Sequence, residues 1–324
     1  MSKNVPLVSV VVPNYNYVRY LEQRLSSILD QTFQDFELIL LDDASDDGSA
    51  DILARYRDNP HTSCIVVNEK NSGSPFKQWM KGIALAKGKY VWIAEADDWA
   101  EPDFLETCIR WVESEENVSV GYVGSVLFDA DGKVERKDVN HWGKRTRWEA
   151  AVFDGECYAR CNLYWRCYII NASGALFRRE FALGVDWLSI CEMRYCGDWM
   201  FWFEMAMKGR VVEVYRKLNY FRQHAAKVTT ASRRTGDGIR EDVQIVRYME
   251  QRLKGISAYR KRLRRGLLYR KISRMRLDTA VKRDLYTYMY EALSCTPSVH
   301  KVERLNQIFR ILNPKLPTAG RDRL

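Results

Sequence analysis

Two pairs of adjacent carboxylates, Asp42-Asp43 and Asp97-Asp98, each leave the end of a short apolar run. The second pair closes the stretch Glu95-Ala96-Asp97-Asp98, directly behind Tyr90-Val91-Trp92-Ile93-Ala94. Carboxylates released at the carboxyl end of a buried strand stand where open α/β sheets hold their ligands. A hard cation such as Mg²⁺ or Mn²⁺ takes one or two of them and lets substrate phosphates complete its shell. One Asp-Asp pair is ordinary turn chemistry. Its recurrence at two strand ends is what favours a site. A third carboxylate, Asp198, follows Gly197 at the start of an apolar helical stretch. It is either a helix cap or a general base for a hydroxyl nucleophile. Arg222 with His224, and Lys77 beside Phe76 and Trp79, are the cations that could meet a polyphosphate. Each is as readily a backbone-bonded loop residue or a solvated helix residue.

The elements around these residues alternate. Val8–Val12 reads as a strand ended by Pro13, Tyr17–Leu29 as a helix with apolar spacing, and Phe36–Leu41 as the next strand. A helix over Ser49–Tyr56, a strand at Ile65–Val67, a helix over Phe76–Ala86 and a strand at Tyr90–Ala94 follow. Such alternation builds βαβ units and a mostly parallel sheet. Beyond Pro102 come a helix to about Glu115 and a strand through Tyr122 and Phe128. Residues 133–165 are irregular and rich in aromatics. A strand from Ile169 to Phe177 is interrupted by Ser173-Gly174, and a helix over Trp199–Met207 leads to a strand at Val211–Tyr215. From Arg240 the chain reads as helical to Pro297, with a further short helix before Asn313-Pro314.

In order, Val8-Ser9-Val10-Val11-Val12-Pro13-Asn14-Tyr15-Asn16, Gln31-Thr32-Phe33, Leu41-Asp42-Asp43-Ala44-Ser45-Asp46-Asp47-Gly48-Ser49, Asn71-Ser72-Gly73, Ala86-Lys87-Gly88-Lys89-Tyr90, Glu95-Ala96-Asp97-Asp98, Gly197-Asp198-Trp199 and Arg222-Gln223-His224 resemble the family-2 inverting glycosyltransferases. The resemblance covers about residues 5–230. It implies the GT-A fold for nucleotide-diphospho-sugars and transfer of a sugar to a hydroxyl of a glycan or lipid-linked acceptor, in a setting such as bacterial surface polysaccharide assembly. It assigns Pro13, Tyr15 and Asp43 to the nucleotide base, Asp97 to the ribose, Asp98 to the Mg²⁺ or Mn²⁺ ion and Asp198 to the base. Arg222 and His224 would close over the diphosphate, with His224 reaching the metal, and Lys77 is a further donor contact. Many relatives carry an acidic residue before the Asp, where this chain has Cys196-Gly197. Trp142, Trp148, Trp165 and Tyr164 fall where relatives build the acceptor pocket, although scattered Trp residues are more often core. A nucleotidyltransferase would want a Gly-rich phosphate loop after the first strand, which Asn14-Tyr15-Asn16-Tyr17 is not. A non-catalytic sugar-nucleotide-binding module is the remaining alternative, disfavoured by the presence of Asp98 and Asp198.

The 324 residues suggest a GT-A domain over 1–235, with a nucleotide-binding half (1–115) and an acceptor and catalytic half (116–235). A basic helical extension over 236–324 completes the chain. The net charge of +9 resides in that tail: residues 240–324 hold 21 Lys/Arg against 8 Asp/Glu, the rest 30 against 34. Between Arg252 and Arg276 eleven basic residues and no acid interleave with Leu253, Ile256, Leu263, Leu267, Ile272 and Met275. That pattern fits either an amphipathic helix on an anionic membrane or a packed helix with a solvated basic face. No base-reading motif points to nucleic acid. The eight cysteines have no metal-ligand spacing, and no secretory signal precedes the first strand. The expectation is therefore a cytoplasmic protein with reduced thiols, attached, if at all, to the inner face of the membrane.

Overall fold

The computed structural model describes residues 5–136, 139–140, 142, 147–223 and 235–312. The chain packs as two compact units. One comprises residues up to Gly155 with Tyr168–Cys191 and Glu204–His224. The other comprises Glu156–Cys167, Glu192–Phe203 and the chain from Ala225 onward. The division read from sequence at residue 235 is continuous, whereas these units exchange short segments.

The first unit is built on one sheet. Its strands are β1 (Val8–Asn14), β2 (Phe36–Asp42), β3 (Thr62–Val67), β4 (Tyr90–Ile93), β5 (Trp99–Ala100), β6 (Val118–Phe128), β7 (Val134–Arg136), β8 (Ala150–Phe153), β9 (Ala175–Arg178) and β10 (Arg210–Arg222). The order across it is β3-β2-β1-β4-β9-β6-β10-β5, with β7 on β6 and β8 on β10. The four N-terminal strands run parallel, as do β6 and β10, and β9 is antiparallel to both its neighbours. Helices α1 (Val18–Leu29), α2 (Ser49–Ala54), α3 (Pro75–Leu85) and α4 (Phe104–Val112) connect and cover the first strands.

Every residue of β1, β2 and β4 is buried. This is why those strands read as unbroken apolar runs and not as alternations. The short segments β5, β7 and β8 escaped the sequence pattern, since two to four residues carry too little periodicity. α3 lies tight on β1 at Gly82, where an added Cβ would sit 2.3 Å from Val11 Cγ1.

Between the sheet strands lie α5 (Gly155–Tyr158), α6 (Arg179–Leu183), α7 (Trp187–Glu192) and α8 (Gly197–Lys208). The chain then forms α9 (Asp237–Arg252), α10 (Ala258–Arg274), α11 (Thr279–Ala292) and α12 (Val299–Leu312). In this helical unit Ile239, Val243, Val246 and Met249 of α9, Leu263, Leu268 and Ile272 of α10, and Leu285 and Met289 of α11 are buried. α10 meets α12 at Gly266, whose missing Cβ would stand 2.7 Å from Val299 O.

That packing bears on both readings of the basic tail. The apolar stripe of α10 faces the interior of the helical unit, and much of its basic face is paired there. Arg264 bonds Asp242 (2.8 Å), Lys271 the same carboxylate (2.7 Å), Arg265 bonds Glu250 (2.7 Å) and Arg270 bonds Glu303 (2.7 Å). Leu263, Leu268 and Ile272 are buried in that unit, as the packed-helix reading expects, while Leu267 and Met275 are half-buried. Among the described residues no helix is long and apolar enough to cross a membrane.

Candidate active site

β1, β2 and β4 are adjacent and parallel, so their carboxyl ends open side by side. Pro13 and Asn14 are buried at the end of β1, and Tyr15 just beyond is 47% exposed. Its aromatic surface is open to solvent. Asn16 adopts a left-handed φ of 57°, which Asn tolerates better than most residues. It fastens this turn to the neighbouring loop, its N–H donating to Ser45 Oγ (2.9 Å) and its Oδ1 accepting from the N–H of Asp46 (3.0 Å).

The Asp42-Asp43 pair is largely structural. Asp42 is fully buried, its Oδ2 accepting from Asn14 Nδ2 (2.7 Å) and from the Ser45 hydroxyl (2.7 Å). Asp43 Oδ1 accepts from Asn68 Nδ2 (2.6 Å), the Ser72 N–H (2.9 Å) and Gln78 Nε2 (2.9 Å), and Oδ2 from the Ser72 hydroxyl (2.7 Å). Four donors leave Asp43 at most a share of Oδ2 for a base N–H. Lys77 is exposed and donates to Ser72 O (3.0 Å), within the same loop.

Beyond β4 the carboxylates Glu95, Asp97 and Asp98 form one cluster. Asp98 is 1% exposed. Its Oδ2 accepts from Asn171 Nδ2 (2.8 Å) and the Ser173 hydroxyl (2.7 Å), and its Oδ1 from the main-chain N–H of Arg222 (3.0 Å). The donors come from the turn before β9 and from the end of β10. β9 pairs with β4 itself, and β10 pairs with β5, the short strand directly after Asp98. Ser173 Oγ also accepts from the Glu95 N–H (3.1 Å), and Trp92 Nε1 donates to Ser173 O (2.8 Å). Glu95 accepts from Trp79 Nε1 (2.8 Å).

Burial and then Asp97 push Glu95 up to about 8, and the same two causes raise Asp98. Tyr17 is raised by burial and by the three carboxylates. A site of like-charged oxygens that resist ionisation together is one a hard cation would relieve. Among the described residues no three His, Cys, Asp or Glu side chains form a complete cage. The chemistry fits a cation held by one or two carboxylates with the remaining ligands supplied from outside the protein.

Beneath the cluster is a residue the sequence reading missed. Arg24 of α1 is fully buried, its guanidinium 4.6 Å from the Trp92 ring centroid. Among the described residues none of its three guanidinium nitrogens has a hydrogen-bond partner. Burial lowers it to about 10, while Asp98, Glu95 and Asp97 hold its proton on. The available signal was periodicity: Leu21, Arg24, Leu25 and Ile28 form one stripe, and a cation inside a buried stripe is a charge with a task.

Arg222, expected to close over the diphosphate, makes several bonds within the protein. It is 4% exposed and its guanidinium is spent inside the protein. Nε donates to Asp97 O (2.8 Å), Nη1 to Ala130 O (3.2 Å) and Nη2 to Gln23 Oε1 (2.6 Å). The group sits between the Tyr20 and Phe128 rings at 4.2 and 4.4 Å. Nε thereby ties the Asp97 carbonyl to the end of β10. His224 lies outside the described residues. Of the aromatics at the suggested acceptor pocket, Trp142, Tyr164 and Trp165 are buried and only Trp148, 53% exposed, faces solvent.

Asp198 stands in the first turn of α8, within the helical unit. Its Oδ1 accepts the Trp199 N–H (2.7 Å), a capping contact that leaves the second oxygen outside it. Burial raises the carboxyl to about 6, opposed by main-chain N–H groups of Trp199 and Asp198 itself. A carboxylate poised there can accept a proton near neutral pH.

The model of glycosyl transferase family 2 matches residues 9–182. Over 127 residues the chain is 35% identical to the Bacillus subtilis glycosyltransferase TuaG, named for teichuronic acid biosynthesis, covering 39% of this chain and 50% of TuaG. Over 133 residues it is 31% identical to the Escherichia coli chondroitin synthase, covering 41% of this chain and 19% of the synthase. The chain thus spans about half of one of these relatives and less of the other. S. aureus TarS 1–349, solved with UDP, superposes with a TM-score of 0.68 at 16% identity, over 94% of this chain and 87% of that one. The fold is accordingly GT-A, and the chain belongs to glycosyl transferase family 2.

Proposed function

We propose that this protein is a cation-assisted inverting glycosyltransferase, moving a sugar from a nucleotide-diphosphate donor to a hydroxyl of a glycan or lipid-linked acceptor. The observation that carries the reading is the Glu95-Asp97-Asp98 cluster, held at the end of a parallel strand by Asn171, Ser173 and Arg222 in a family-2 chain. TarS has been solved with UDP and with UDP-GlcNAc, which supports a uridine-diphosphate sugar as donor. Relatives named for teichuronic acid and chondroitin synthesis support a polysaccharide setting. The cytoplasmic face, where nucleotide sugars are made, suits such chemistry.

Within this reading Pro13 and Tyr15 flank the base, with Asp43 shaping the loop beside it. The cation would be held by Asp98, whose orientation three accepted hydrogen bonds fix, together with Asp97 beside it. A bound Mg²⁺ or Mn²⁺ would stabilise charge on the departing diphosphate. Arg222 holds the backbone that presents Asp97. Asp198 takes the proton of the attacking hydroxyl, whose oxygen attacks the anomeric carbon opposite the departing phosphate, giving inversion.

A panel of UDP-, GDP- and dTDP-sugars, tested for hydrolysis and transfer with Mn²⁺, Mg²⁺ or EDTA, checks the proposal. Turnover of one donor that EDTA abolishes and Mn²⁺ restores is the expected result. Undiminished turnover in EDTA would remove the cation from the reading, and absence of binding across the panel would remove the donor.

A further inference from the structure

Glu241 of α9 reaches the segment that leads into α8. Its Oε1 accepts the main-chain N–H of Arg194 (2.8 Å), and its Oε2 accepts those of Tyr195 and Cys196 (2.8 Å each). These three residues run directly into Gly197 and Asp198, and all belong to the helical unit. The start of a helix leaves main-chain N–H groups without intrahelical partners. Here one carboxylate gathers the three that precede it, and hydrogen bonds to an ionised acceptor are the strong kind.

The other side of Asp198 is held as well. Trp199 Nε1 donates to Leu163 O (2.8 Å), and the Arg264 guanidinium lies 5.6 Å from the Trp199 ring centroid. Arg264 in turn bonds Tyr164 O (2.8 Å) and Asp242 (2.8 Å), the neighbour of Glu241 on α9. Consecutive residues of one helix therefore fix the chain before and after Asp198.

We infer that Glu241 is a positioning residue for the transfer reaction, setting the backbone that presents Asp198. The inference rests on reading Asp198 as the general base. It gives the helical extension, which lies beyond the matched residues 9–182, a part in catalysis. Glu241 also acts through space: its charge raises the Asp198 carboxyl, after the larger effect of burial. The Cys196 thiol between them is raised by burial, then by Asp242, Asp198 and Glu241, with Lys271 opposing.

The test compares Glu241→Gln, Glu241→Ala and Asp198→Asn in the full chain. Its substrate is whichever nucleotide sugar of the panel the wild type turns over fastest. In Glu241→Ala, kcat should fall by up to ~10²-fold, the effect of a small misplacement of a reacting group. Donor KM should stay within about twofold, because the Glu241 carboxylate bonds the main chain of residues 194–196. Amide exchange at residues 194–196 should quicken. In Glu241→Gln, which keeps one acceptor oxygen and loses the charge, the acid limb of the kcat profile should move to lower pH. Unchanged kcat and an unshifted acid limb in both variants, with Asp198→Asn inactive, would overturn the role of Glu241 alone. Wild-type turnover in Asp198→Asn would overturn the base assignment and this role with it. If Glu241→Ala is too unstable to assay, the acid limb of Glu241→Gln decides.

Discussion

Arg222 illustrates how a charged residue beside a carboxylate pair can be bonded into the protein. Its three donor groups satisfy Asp97 O, Ala130 O and Gln23, so Arg222→Met strands three acceptors. A buried acceptor left unsatisfied costs about 1–3 kcal/mol. Urea unfolding should therefore show a lowered midpoint, with stability and donor affinity lost together. Lost affinity at an unchanged midpoint would return Arg222 to the diphosphate. Asp98 is a similar case, since its acceptors are engaged by Asn171, Ser173 and the Arg222 N–H. At Asp198 the prediction concerns pH. The carboxyl is raised to about 6 by burial, and as the proposed base it would act in its deprotonated form. Turnover should fall about tenfold per pH unit below 6 and level off above it. A flat profile between pH 5 and 7 would separate Asp198 from the proton transfer. The candidate site residues could be proposed from types and spacings. Their occupancy could not, because hydrogen bonds from Ser72, Gln78 or Asn171 come from segments remote in sequence.

At the scale of elements, the first four strands and their helices were visible because fully buried parallel strands leave continuous apolar runs. β10 was only half seen: its middle, Tyr215-Arg216-Lys217, is partly exposed and breaks the run. The turn before β9 was noticed as an interruption by Ser173-Gly174, and the structure uses that interruption to hold Asp98. The α3–β1 contact gives a sharp prediction. A Cβ at Gly82 would meet Val11 2.3 Å away, so Gly82→Ala should overpack the core by about 1–3 kcal/mol, read as a lowered Tm. The stripe of α10 was read correctly as amphipathic, yet sequence alone could not say whether protein or lipid covers it. Leu268 is fully buried, and Leu268→Ala should destabilise the helical unit by about 2–5 kcal/mol. Flotation with anionic vesicles should not require that residue. A Leu268→Ala protein of unchanged stability that fails to float would restore the lipid-facing reading.

Across the whole molecule, charge and chemistry are divided between two kinds of structure. The sheet unit holds the acidic cluster and the exposed Tyr15, and the helical unit holds Asp198, the positive excess and the ion pairs that consume much of it. On the proposed reading donor binding rests on the acidic cluster and proton transfer on Asp198, so the two should be separable by substitution. The direct test measures both in one experiment, using calorimetry with the preferred UDP-sugar and Mn²⁺ beside steady-state turnover for wild type, Asp97→Ala and Asp198→Asn. Asp97→Ala should lose cation-dependent donor binding and turnover together. Asp198→Asn should bind the donor as the wild type does and lose ~10²–10⁴ in turnover. Full turnover in Asp198→Asn, or wild-type cation-dependent binding in Asp97→Ala, would contradict the account.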